Sequence, residues 1–98
     1  MNNTTKFMNL KTEWEEETEM LSSITKITLH PSYQKIIGMG EIAIPLILNE
    51  MKKKRGHWFL ALKSISGEDP VPLEIRGNIE KMTEVWIDWG RKNGYIRS

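Results

Sequence analysis

The sequence predicts an all-α domain of four to five short helices gathered around one central apolar helix. Three observations carry that expectation. The stretch IAIPLILNEM places Ile42, Ala43, Ile44, Leu46, Ile47, Leu48 and Met51 almost all round a helix, and such a helix must be covered on several sides. Its roughly 12 residues fall short of the ~20 needed to cross a bilayer, so no membrane partner is expected. Prolines and glycines at His30-Pro31, Gly38 to Gly40, Gly56, Ser66 to Gly77 and Gly94 cut the chain into helix-sized pieces. The one β-branched run, ITKIT at 24–28, has no second strand-like run to pair with.

Taken in order, residues 1 to 11 are polar apart from Phe7, Met8 and Leu10, and are expected to form a flexible N-terminal segment. The single all-α domain is then expected over residues 12 to 95. Thr12 followed by Glu15 fits a capping box. Glu13, Glu15, Glu16, Glu17 and Glu19 would load the first turns of that helix with the negative charge its dipole favours. The helix is expected from Thr12 to Ser23, on a sparse stripe of Trp14, Leu21 and Ile24 that Phe7 and Leu10 would extend backwards if the helix starts early, with a short helical or irregular piece following to Leu29.

His30-Pro31 breaks the chain and restarts it, because proline suits a first helical position and pushes its predecessor out of the helical region. Tyr33, Ile36 and Ile37 then share a face, and Gly38 stops the helix. Gly40 or Glu41 opens the central helix, with Pro45 early enough to cost little. Lys52 to Arg55 close it at its negative end, and Gly56 ends it.

His57 opens the next helix, whose Trp58, Ala61, Leu62 and Ile65 form an i, i+3, i+4, i+7 stripe. Phe59 and Leu60 lie off that stripe and need a second neighbour or stay exposed. After the loop 66–77, Asn78 caps a last helix with Ile79, Met82, Val85, Trp86 and Trp89 on one face. Gly94 stops it, and Tyr95 to Ser98 trail off.

Composition bounds the function. With 98 residues, 39% hydrophobic and 28% charged, the chain suits one domain with one core. A net charge of +1 gives no overall pull towards nucleic acid. No cysteine is present, which removes disulfides, thiolate metal sites and a cysteine nucleophile. No signal-peptide pattern opens the chain, so a cytoplasmic location is expected.

The run G-E-I-A-I-P-L-I-L-N-E-M followed by WFLALKSISG resembles one HEAT-type helical repeat, matched at Gly40, Ala43, Pro45, Leu46, Leu48 and Ala61. The resemblance implies HEAT-like helical hairpins, with residues 31 to 38 closing a preceding unit and 78 to 93 opening a following one. Residues 14 to 95 are also similar to a group of small bacterial proteins, through the pattern W-x6-L-S-S…H-P-x-Y-Q-x-I-I-G-M-G…P-L-I-L…H-W-F-x-A-L…G-E-D-P…W-x-x-W-G. That similarity implies a shared fold and carries no activity with it.

Chemistry is sparse. His30 and His57 both stand where a helix starts. An enzyme would need His57 joined by Glu68 or Asp69, whereas turn-fixing histidines need nothing more. No metal-ligand spacing, GxSxG, P-loop or GxGxxG is present. No catalytic residue, metal or cofactor is therefore assigned, and the chain is not expected to be an enzyme.

Lys52, Lys53, Lys54 and Arg55 could touch phosphate, yet the helix dipole and solubility explain them equally well. Of the four tryptophans, Trp58 fits a core stripe. Trp86 and Trp89, near the chain end, suggest a contact surface, to which Phe59 is added. The function expected is a non-catalytic protein-protein interaction module, an adaptor or small regulatory subunit that binds another protein or its own copy. The alternative is a small antitoxin-like or nucleic-acid-associated regulator using residues 52 to 55.

Overall fold

A computed structural model describes residues 2 to 97. Its helices are α1 (Asn3–Thr18), α2 (Ile24–Leu29), α3 (Pro31–Gly38), α4 (Ala43–Lys53), α5 (Phe59–Ser66) and α6 (Ile79–Lys92). Single 3-10 turns occupy Gly40–Ile42 and Leu73–Ile75, and no strand forms among the described residues. The fold is all-α, with one more helix than the four to five expected.

α1 lies along α3, α3 along α5, and α4 against α6, while α1 also reaches α4. Ala43, Ile44, Ile47, Leu48 and Met51 of α4 are buried, so the apolar stretch does occupy the centre. Burying the four large ones, Ile44, Ile47, Leu48 and Met51, contributes on the order of 1.5–3 kcal/mol each.

The N-terminus departs from the expectation. α1 starts at Asn3, capped by Asn2, whose side chain accepts from the Thr5 amide at 2.8 Å. Phe7 is 1% exposed and meets Trp58 at a ring separation of 5.8 Å. Residues 3 to 11 are therefore helix and core rather than a flexible lead, and Thr12 sits mid-helix with no capping role. An asparagine cap and a buried aromatic seven residues ahead of Trp14 outweigh a local polar composition.

α1 also stops at Thr18, short of Ser23, where the Thr18 hydroxyl bonds back to the Trp14 carbonyl at 2.6 Å. The acidic run consequently lies at the wrong end of its own dipole. Glu13 instead accepts from the Ser32 hydroxyl at 2.8 Å, and Glu17 meets His30 Nε2 at 2.7 Å. Both carboxylates thus face the positive N-terminus of α3, where negative charge is favoured.

Residues 95 to 97 do not trail off either, and Ser98, the last of the expected tail, lies outside the described residues. Gly94 takes φ 78°, the Tyr95 amide donates to the Gly90 carbonyl at 2.9 Å, and the Gly94 amide to Arg91 at 3.2 Å. This Schellman turn folds the chain back, stacking Tyr95 on Trp89 at 5.4 Å and burying Ile96.

Candidate functional site

The first and last thirds of the chain meet α5 at an uncovered apolar furrow. Ile24 and Thr28 of α2, Phe59 and Leu60 at the start of α5, and Ile79 and Met82 at the start of α6 line a depression of about 280 Å³. His57 and Gly77 complete its ends. Phe59, Leu60 and Met82 also border a second depression of about 210 Å³, which runs on to Lys63, Val71, Arg76 and Trp86. Together they form one furrow between α5 and α6.

Helix geometry explains the furrow. On α5 the stripe of Ala61 and Leu62 turns inward and is fully buried, so Leu60 and Lys63, three residues apart, face outward. On α6 the apolar line Ile79, Met82, Trp86 starts at the surface and dives into the core: Ile79 is 43% exposed and Trp86 is 0%. With Ile24 at 60% and Leu60 at 45% exposure, three large aliphatic side chains share one open rim. These side chains form one contiguous apolar patch rather than scattered single residues.

Charge gathers at one end. Asp69 is bridged by Arg76 at 2.7 Å and by Lys63 at 3.7 Å, and its other oxygen accepts from the Val71 amide at 3.2 Å. Two cations thus meet one carboxylate.

The tryptophans are placed differently from the expectation. Trp86 and Trp89 are 0% and 8% exposed, so neither opens onto a flank. They pack edge to face at 5.1 Å, and Trp89 Nε1 donates to Glu68 at 3.4 Å. The returning Tyr95 and Ile96 cover the side that a trailing C-terminus would have left bare. Trp86 instead floors the furrow, and its fully buried indole N–H has no acceptor among the described residues. Phe59 is half-buried and lines both depressions, so Phe59 and Trp86 come together at one place.

The basic run lies elsewhere. Lys52, Lys53, Lys54 and Arg55 border a separate depression whose opposite wall carries Glu80 and Glu84. Arg55 pairs with Glu80 at 3.2 Å and Lys53 with Glu50 at 3.8 Å.

His57 is not joined to the carboxylates proposed for it. It precedes α5, while Glu68 and Asp69 follow that helix, ~12 Å of helix away. His57 also lines a charged cleft of about 270 Å³ with Trp14, Glu15, Glu50, Lys54 and Arg55. Lys11 bridges Glu15 at 3.4 Å and Glu50 at 3.1 Å. Burial alone would lower the Lys11 pKa, but the Glu50 hydrogen bond and both carboxylate charges reverse this and raise it. Among the described residues no three His, Asp or Glu side chains converge as a metal would need.

Ile24, Leu60, Ile79, Met82, Lys63 and Arg76 were not singled out by sequence reasoning. Only the departure of Phe59 and Leu60 from their helix stripe pointed here. No helix among the described residues is long and apolar enough to cross a membrane. No family model, curated protein or solved structure matches this chain.

Proposed function

We propose that the protein is a non-catalytic, cytoplasmic protein-interaction module, an adaptor or small regulatory subunit, and that the α5–α6 furrow is where its partner docks. The observation that carries this reading is the uncovered apolar rim of Ile24, Leu60 and Ile79 above the half-buried Phe59 and Met82. Five apolar side chains in one open furrow form the kind of centre on which protein contacts concentrate their energy.

The phosphate-binding alternative is less well supported. Its four cations face two glutamates, and Arg55 is already paired with Glu80 and Lys53 with Glu50. A nucleic-acid groove would keep its positive charge unopposed.

The test compares capture from the source cells by wild-type protein, Leu60→Glu, and Lys53→Glu/Arg55→Glu. The docking reading expects a protein retained by wild type and by the charge variant, insensitive to salt, and lost with Leu60→Glu. Capture of nucleic acid that disappears with Lys53→Glu/Arg55→Glu and falls steeply with salt would favour the alternative instead.

A further inference from the structure

We infer, building on the docking reading above, that the furrow takes an amphipathic helix of another protein, whose apolar stripe ends in an acidic residue held between Lys63 and Arg76.

The helical form follows from what the furrow cannot supply. Its walls are side chains of α2, α5, α6 and the flanking loops, and apart from the first-turn amides of α5 and α6 the helical backbone is committed within its own helices. No strand is present among the described residues to offer an edge. An extended peptide laid here would bury most of its own backbone donors and acceptors without partners, which is costly. A helix arrives with those bonds already made, and its i, i+3, i+4, i+7 ridge fits between two others. Shape points the same way. The depressions of about 280 and 210 Å³ run on as one open furrow, which suits a row of side chains rather than one enclosed small molecule.

The acidic end follows from charge. Of the residues lining the two depressions, only Lys63, Asp69 and Arg76 are formally charged, which leaves one positive charge over. Asp69 already accepts from Arg76 and the Val71 amide and pairs with Lys63 at 3.7 Å, so one carboxylate is shared between two cations. Lys63 and Arg76 are 45% and 48% exposed at their side chains and hold several N–H donors each. A carboxylate entering there meets donors on both sides. The larger basic run at 52–55 does not compete for it, because Glu80 and Glu84 stand opposite that run.

The experiment is selection by the full-length protein from a display library of 18-residue amphipathic helices with apolar residues fixed at i, i+3, i+4 and i+7 and the flanking positions randomised. The inference expects Asp or Glu to outnumber Lys or Arg about tenfold at one end of the selected stripes, as a charge-assisted hydrogen bond would give. Lys63→Gln, a change at a half-exposed side chain that brings this local charge to zero, should erase that bias, and Lys63→Glu/Arg76→Glu should reverse it. Helices selected with no charge bias, but lost with Leu60→Glu, would overturn the acidic end and leave the docking reading standing. Selection that ignores Leu60 would overturn both, and failure to select any helix would overturn this inference while capture from cells still decides the docking reading.

Discussion

The hydroxyl of Tyr33 caps α5 from a different helix, accepting from the Ala61 amide at 3.0 Å. The same hydroxyl donates to the His57 carbonyl at 2.8 Å, so both its hydrogen-bonding roles are filled while Tyr33 is 0% exposed. α5 begins after Trp58, a residue with no side-chain acceptor for a first-turn amide. Tyr33→Phe strips that cap and strands the Ala61 amide. It should cost about 1–3 kcal/mol, read as a fall in Tm of roughly 4–8 °C per kcal/mol.

The same phenol makes stability fall in alkali. Burial pushes the Tyr33 pKa from 10.0 up to about 12, partly opposed by the Ala61 amide. Folding favours the neutral phenol, so this contribution is complete below pH 10 and is lost as the pH rises from 10 through about 12. The loss should reach roughly 2–3 kcal/mol. Denaturation followed across that range should show the slope in wild type, and a shallower one in Tyr33→Phe.

His30 is the N-cap of α3, its Nδ1 accepting from the Ser32 amide at 3.1 Å while Nε2 faces Glu17 at 2.7 Å. The neutral ring satisfies both only when Nε2 carries the proton. His30→Ala should cost about 1 kcal/mol through the cap. His30→Asn restores a capping oxygen and should recover most of it, because Glu17 is 58% exposed and an exposed pair contributes little. Urea denaturation of the three proteins separates cap from ion pair.

Phe7→Ala should be among the most damaging single changes, about 3–5 kcal/mol out of a typical 5–15 for a domain. Phe7 is 1% exposed and packs on Trp58. A loss below about 1 kcal/mol in denaturant titration would put residues 3 to 11 back outside the fold.

Gly90 allows α6 to approach α4. A Cβ at that position would run into Leu48 Cδ1 and lie 3.4 Å from Ile96 Cγ1. Gly90→Ala should destabilise, although alanine gains about 1 kcal/mol in a helix interior. Leu48→Ala vacates the space, so the double variant should be more stable than the two single losses add up to. Independent additive losses would contradict the close approach.

The central helix, the restart at Pro31, the Asn78 cap and the α5 stripe were legible because each rests on local spacing. α1 was not. Its start depends on Phe7 meeting Trp58, and the use of its glutamates depends on α3 lying alongside. The terminal tryptophans misled for a related reason. Nothing in the order Trp86, Trp89, Gly94, Tyr95 reveals that a Schellman turn brings Tyr95 back over Trp89. The furrow was half legible: Leu60 visibly left its stripe, but Ile24 and Ile79 read as core until the helices were placed side by side.

The most direct measurement is site-specific photo-crosslinking in the cells that make the protein, with a photoreactive residue at 60, at 79, or at 53 as control. Leu60 is 45% exposed and Ile79 43%, so variants there should fold with changes within about 0.5 kcal/mol. The account predicts one discrete light-dependent adduct with another protein from positions 60 and 79, and none from position 53. No adduct from 60 or 79, or equal adducts from all three, would contradict the claim that the α5–α6 furrow is the docking site.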